Sequence, residues 1–299
     1  MILCIDIGGT AVKYALVDRM GAILARHEYQ LEGYDVPLVE AALQEAVRFA
    51  EKEKTAPRGV AVSATGQIDS REGIVIGTNG KIPNYEGSRI SEACETRFGV
   101  PACALNDANA AALGEWFAGA GKEADPMLMI TLGTGVGSGI IIGGRLFEGM
   151  RGIAGELGQF PLFCGRAKAE NLRGTYEEYA STSALVRRMK AVTGEKTLDG
   201  RMIFDRAGTG DETALAVLNQ WTDDIALGLI GFVHIFNPQR IVIGGGVSRQ
   251  EKLLLQPLRA KVAEGVLPRF AEGLEIEPAV LGNDAGLIGA ACFWQERFG

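Results

Sequence analysis

The sequence predicts an α/β protein in which one structural unit occurs twice around a shared cleft. Two observations predict it. Short apolar runs of strand length alternate along the chain with longer runs of helical spacing, the pattern of α/β folds. A strand–turn–strand segment whose turn is stripped of side chains stands near the start and recurs about halfway along.

The first such segment is an apolar strand ending in Asp6-Ile7-Gly8-Gly9-Thr10, followed by a second strand over 12–17. Apolar spacing then predicts a helix over 37–54, closing on the solvated run Glu51-Lys52-Glu53-Lys54. A buried strand at 59–63 leads into a Gly66 turn, and another at 102–105 leads into Asn106-Asp107 and an Ala-rich helix over 107–119. The second segment is a strand over 127–131, then Leu132-Gly133-Thr134-Gly135-Val136-Gly137-Ser138-Gly139, then a strand over 140–142. A long helix over 213–236 is stopped by Asn237-Pro238. A strand over 240–243 runs into Gly244-Gly245-Gly246-Val247-Ser248, and a helix over 285–297 ends the chain. The Gly, charge and Pro cluster between Gly119 and Pro126 marks the border of two domains, 1–120 and 121–284, with 285–299 completing the first.

Composition narrows the function. The chain has 299 residues, 47% hydrophobic and 22% charged, with 41 glycines and a formal charge of −7. That describes a globular protein with no basic field for nucleic acid or an anionic membrane. The N-terminal run is too short for a signal peptide, and no apolar stretch reaches spanning length. Five scattered cysteines without a C-x-x-C pair read as reduced thiols, so the expected setting is the cytoplasm.

The two Gly-rich turns point to phosphate. Free amides in such turns make anion nests, and glycine lets another group approach the backbone. Gly8, Gly9 and Thr10 on one side, and Gly133, Thr134, Gly135 and Ser138 on the other, are the candidate contacts. Phosphoryl transfer also needs a carboxylate to take the acceptor's proton and a cation to neutralise charge. Asp107, at a helix start, is the candidate base; taken alone it reads as a plain N-cap, and the neighbouring phosphate turns favour catalysis. Asp6 reads either as a Mg²⁺ ligand through water or as a turn residue of its own hairpin. Lys13 reaches phosphate or faces solvent, with nothing to separate the two. Glu156 and Glu177 read either as acceptors for paired sugar hydroxyls or as surface charge, Glu178 as surface charge, Asn84 as a polar loop ligand or a turn residue, and Asn79 as a turn residue. Walker, Rossmann and serine-nucleophile motifs are absent. His27 and His234 are too few for a metal site, and His234 reads as a hydrogen-bonded core residue.

Taken together these segments resemble the ROK family of sugar kinases, within the hexokinase/actin-like ATPase superfamily. The resemblance runs from Asp6–Thr10 through Asn106-Asp107-Ala108-Asn109, Leu132–Gly139, Gly155-Glu156-Leu157-Gly158, Tyr179-Ala180-Ser181 and Ile243–Val247 to Asn283-Asp284-Ala285-Gly286. It implies a duplicated actin-like (ribonuclease H-like) fold, ATP with Mg²⁺, and a homodimer whose subunits close on sugar. It makes Asp107 the general base and Asn84, Asn106, Asp107, Glu156 and Glu177 sugar ligands. Gly9, Thr10, Thr134 and Gly135 then meet phosphate, and Gly245, Gly246 and Val247 flank adenosine.

One departure stands out. Many family members carry zinc on a His after G-E-L-G and three Cys in a C-x-C-G-x-x-G-C run; here Gln159 and Thr175 stand at the expected His and last Cys, leaving Cys164 alone. One thiol cannot make a four-ligand zinc site, so no zinc is expected, and Gln159 keeps hydrogen bonding toward sugar. Zinc-less relatives include β-glucoside and N-acetylmannosamine kinases; the altered loop favours phosphorylation at C6 of glucose or a cellobiose-type β-glucoside. Two other classes are a sugar-sensing regulator, which would carry a helix-turn-helix ahead of the first strand, and a polymerising actin-like ATPase, against which Glu156 and Glu177 argue.

Overall fold

The computed structural model describes residues 1–31, 33, 36–78, 80–163 and 172–299. Two five-stranded sheets carry the fold, and each has the same internal plan. In the first, the antiparallel hairpin β1 (Ile2–Ile7) and β2 (Ala11–Val17) is extended by β3 (Ile23–Gln30). On its other side β1 pairs in parallel with β4 (Val60–Ala64), which pairs with β7 (Ala102–Asn106). In the second, β8 (Met127–Leu132) and β9 (Val136–Ile142) form the hairpin and β10 (Arg145–Leu146) extends it. There β11 (Arg240–Gly244) and β12 (Glu275–Pro278) are the parallel strands. The duplication expected from the recurring turn is therefore a duplication of the whole sheet. A small hairpin, β5 (Gln67–Asp69) and β6 (Ile74–Gly77), stands apart.

Strands β1, β4 and β7 are buried along almost their whole length because helices cover both faces, so they read as unbroken apolar runs. On the outer face of the first sheet lie α1 (Leu38–Lys52) and α2 (Ile90–Phe98), where Leu43, Ala46 and Phe49 meet Ile5, Val60 and Val62. Outside the second sheet, α4 (Tyr176–Ala180), α5 (Thr182–Thr193), α6 (Gly200–Gly208), α7 (Glu212–Phe236) and α8 (Gln256–Gly265) form a larger layer around Trp221, Leu229 and Phe232. Asn237, at φ 45°, caps α7 in the left-handed conformation one residue before the expected proline.

Between the sheets lies a pair of helices, α3 (Asp107–Ala118) and α9 (Ala285–Phe298). Their core joins Cys4, Ala61 and Leu105 of the first sheet to Met129, Ile141 and Val242 of the second. The helices touch backbone to backbone. A Cβ on Gly114 would sit 2.1 Å from the Ala285 carbonyl oxygen, and one on Gly289 1.7 Å from that of Ala110. The helix α9 also packs on strands β1 and β4.

Three expectations are corrected. The second Gly-rich turn closes within 133–135, and Gly137 and Gly139 lie inside β9. There a Cβ would stand 2.9 Å from Ala108 Cβ and 2.4 Å from Ala112 Cβ, so these glycines seat α3 on the sheet. His234 is not in the core: it lies on the exposed side of α7, accepts the Leu267 N–H at 3.1 Å and packs on Phe270. Strand β3 was not anticipated, although its strict alternation of half-buried and exposed residues is the mark of a strand. No helix among the described residues is long and apolar enough to cross a membrane. Cys4, Cys94 and Cys103 are buried free thiols, and Cys164 lies outside the described residues.

Gly289→Ala is expected to destabilise the fold by about 1–3 kcal/mol, because neither backbone facing the new methyl can retreat. Gly231→Ala, within α7 and with nothing inside 4 Å of the added Cβ, is expected to gain up to about 1 kcal/mol. Urea unfolding midpoints check both.

Candidate active site

The parallel strands β1, β4, β7, β8 and β11 all end at one side of the molecule, where α/β folds place their ligands. Two large cavities open there. The first, of about 720 Å³, is lined by Gly9 and Thr10, by Thr65, Gly66 and Gln67 after β4, by Asn106, and by Glu156, Gln159 and Glu177. It adjoins a narrow recess of about 60 Å³ walled by Gln67, Asn106, Asp107, Asn109 and Glu156. The second, of about 1000 Å³, is lined by Gly133 and Thr134, by Gly246 and Val247, and by residues of α5 and α6 including Val186, Lys190 and Phe204.

At the start of α3 the two candidate residues divide their work. Asn106 is the cap: its Oδ1 accepts the N–H groups of Ala108 (2.9 Å) and Asn109 (3.2 Å). Its Nδ2 donates to the Gly66 carbonyl (2.9 Å) and to Asp107 Oδ1 (3.0 Å). Asp107 is therefore relieved of capping, which corrects the plain-cap alternative. One of its oxygens takes the Ala108 N–H at 2.8 Å, and the side chain keeps a face open to the recess. That face is solvent-accessible, yet protein surrounds the rest. Withdrawal from water, helped by the charge of Asp6, pushes the Asp107 carboxyl up to about 6, against the Ala108 amide and Asn106, which pull it down.

Asp6 ends β1 opposite Ser63 on β4 and Lys13 on β2. Its Oδ1 accepts the Ser63 hydroxyl at 2.7 Å, and Lys13 Nζ lies 3.9 Å from Oδ2. Burial raises its pKa, and these two partners hold the rise back. Lys13 thus leans on Asp6, and it lines neither cavity. Glu156 is raised by burial and by the facing charge of Glu177. Glu177 reaches the second turn, accepting the Val136 N–H at 3.0 Å, and a Cβ on Gly135 would sit 2.3 Å from its carboxylate.

The second turn is braced from behind. The Thr182 N–H and hydroxyl donate to the Gly133 and Leu132 carbonyls at 2.9 and 3.1 Å. Gly245, at φ 96°, packs so closely that a Cβ would meet the Leu132 oxygen at 2.2 Å, so it shapes the loop while Gly246 and Val247 face the cavity. Gly8 closes the first turn, its N–H on the Ala11 carbonyl at 3.1 Å, and Gly9 and Thr10 stand exposed. Ser138 is corrected: it is buried, donating to the Gly155 carbonyl and accepting the Leu157 N–H at 3.1 Å, so it holds the Glu156 loop rather than offering a hydroxyl outward. Glu178 is corrected too. It accepts the Gly174 and Thr175 N–H groups (2.8 and 3.2 Å) at the start of α4. Against the rise that burial brings, these amides hold its pKa down.

Asn84, at φ 54°, is not among the lining residues; its loop sends Lys81, Ile82 and Tyr85 instead. Asn79 lies outside the described residues. Sequence reasoning also missed Gln67, although the Gly66 turn after a buried strand signals such a position. It missed the walls from α5 and α6, which carry no local motif.

The raised Asp107 carboxyl has a consequence for stability. A folded-state pKa above the unfolded one favours the fold below about pH 4, and this contribution is lost as pH rises through about 6. Asp107→Asn is therefore expected to unfold at higher temperature than the wild type at pH 7.5, by on the order of 1 kcal/mol once the accessible face is allowed for. Melting curves from pH 4 to 8 should show the difference shrink to nothing at the acid end.

Comparison with known proteins accords with this geometry. The curated glucokinase of Thermotoga maritima is 32% identical over 311 residues, covering 99% of this chain and 97% of that protein. The β-glucoside kinase of Listeria monocytogenes is also 32% identical, over 301 residues, covering 99% and 98%. The solved ROK family glucokinase of Streptomyces griseus, in complex with glucose and AMPPNP, superposes with a TM-score of 0.77 at 30% identity, covering 99% of each chain. The duplicated sheets around the cleft are the actin-like ATPase fold of these neighbours. The family model described as ROK matches residues 2–297, and the chain belongs to the ROK family.

Proposed function

We propose that this protein transfers the γ-phosphoryl group of ATP to the C6 hydroxyl of glucose or of a cellobiose-type β-glucoside. The observation that carries the reading is Asp107, freed from capping by Asn106 and facing a recess that opens into a cavity shared with the Gly9–Thr10 turn. A carboxylate with a pKa near 6 is ionised at neutral pH yet still basic enough to accept a proton. The C6 hydroxyl enters the recess and gives its proton to Asp107 as its oxygen attacks the γ-phosphorus; the bond to ADP breaks, and the sugar 6-phosphate leaves.

Glu156, Gln159 and Glu177 receive the other sugar hydroxyls, with Asn84 and Asn106 beside them as the lobes close. Gly9, Thr10, Thr134 and Gly135 meet the phosphates, and adenosine fills the cavity by Gly246 and Val247. Asp6 fits a Mg²⁺ ion held through water: a buried carboxylate that raises the proton affinity of its neighbour Asp107 marks a place where positive charge is short. Such an ion supplies neutralisation of phosphate charge. The size of the acceptor cavity supports a substrate larger than one ring. The loop departing from the zinc pattern and the β-glucoside kinase relative support the same choice. Residues 1–120 with 285–299 form one lobe and 121–284 the other, closure of which excludes water. The protein works as a homodimer, which sedimentation checks.

Asp107→Ala is expected to lower kcat by about 10²- to 10⁴-fold while ATP affinity stays within about threefold. For the wild type, kcat/KM for sugar should rise with pH through a midpoint near 6, because the base acts only when deprotonated. A panel of cellobiose, glucose and N-acetylmannosamine, followed by ADP release, tests the acceptor. Undetectable turnover of cellobiose rejects the β-glucoside assignment, and turnover of N-acetylmannosamine alone rejects glucose as well.

A further inference from the structure

Behind the recess, three segments distant in sequence are knotted together. The Arg297 guanidinium, in the last turn of α9, donates to the Ser70 carbonyl at 2.6 Å and to Glu148 Oε1 at 3.1 Å. It lies over the Phe293 ring, 4.2 Å from the centroid. The Ser70 hydroxyl, fully buried in the turn between β5 and β6, donates to the same Glu148 oxygen, and the Gly152 carbonyl lies 3.4 Å away. Next to it Arg71 donates to the Gly149 carbonyl at 3.0 Å. An exposed ion pair contributes little to stability, but Glu148 and Arg297 are each only about a quarter exposed and both bond the buried Ser70, one taking its hydroxyl and the other donating to its carbonyl.

The partners of this knot lead straight into the cleft. Gln67, three residues before Ser70, lines both the recess and the larger cavity. The loop after Glu148 closes on itself, the Ala154 N–H donating to the Glu148 carbonyl at 3.1 Å, and runs from Gly152 through Ile153 to Glu156. Glu156 therefore hangs between two anchors, Ser138 on β9 and the knot. We propose that Ser70, Glu148 and Arg297 are positioning residues that hold Glu156 and Gln67 at the separation the acceptor needs. This deepens the functional reading above and, for its kinetic part, rests on it.

The test uses the full chain with Glu148→Ala, Glu148→Gln and the double variant Glu148→Ala/Arg297→Ala. Hydrogen–deuterium exchange should speed at least threefold in 150–157 and 66–69 in Glu148→Ala, with the α7 core unchanged. Sugar KM should rise about tenfold or more while ATP KM and kcat stay within about threefold. Glu148→Gln, which keeps an acceptor oxygen, should restore sugar KM to within about threefold, and the double variant should be little worse than Glu148→Ala. Unchanged exchange at 150–157 overturns the knot, and a lowered melting temperature with unchanged sugar KM overturns its positioning role. A wild type that phosphorylates no sugar removes the functional reading alone, since exchange still decides the knot.

Discussion

The contact on which the rest depends is the seating of α3 between two sheets and against α9 with almost no side chain in the way. Gly137 and Gly139 on β9 receive Ala108 and Ala112, and Gly114 and Gly289 let the two helices meet at the backbone. Interiors pack like solids, so such a contact leaves the helix little freedom to slide. The start of α3 is thereby held against the end of β7 in one half and beside β9 in the other. Asp107, the proposed base, inherits its position from that packing, and displacement of a reacting group by about 1 Å can cost two orders of magnitude in rate.

The electrostatics follow from the same arrangement. A chain of formal charge −7 gathers Asp6, Asp107, Glu156 and Glu177 at the cleft, which would repel an anionic donor if nothing answered them. The local answers are of three kinds. Asp6 is met by Ser63 and by Lys13, Glu177 by the Val136 amide, and the turns at Gly9–Thr10 and Thr134 bring exposed backbone to the cavities. Asp107 keeps a raised proton affinity even though the Ala108 amide and Asn106 pull it down, because burial and the charge of Asp6 outweigh them. An acid–base group poised near neutrality is the product of its surroundings.

How much could be read in advance depends on the range of the interaction involved. Strand and helix character, the first turn, the helix start at Asn106-Asp107 and the stop at Asn237-Pro238 are local matters of periodicity, φ preference and capping, and they stand within a residue or two of the expected bounds; the second turn does not, since β9 begins at Val136 where a strand was expected from 140. Roles that depend on what lies across the fold were not legible. Gly137 and Gly139 look like turn glycines until α3 is laid upon them; Ser138 looks like a free hydroxyl until the Gly155 loop covers it; Glu178 looks like surface charge until the start of α4 claims it. The knot of Ser70, Glu148 and Arg297 has no trace in any local window.

The sequence by itself determined the alternation of elements, their duplication and the residue types capable of the chemistry, since backbone conformation and hydrophobic period are set within a few neighbours. Tertiary structure alone decided how each carboxylate is partnered, which glycines serve packing, and that the two turns line separate cavities. Those are questions of which groups share a volume. The chain answers them only when strands and helices far apart in number compete for the same space and the same hydrogen bonds.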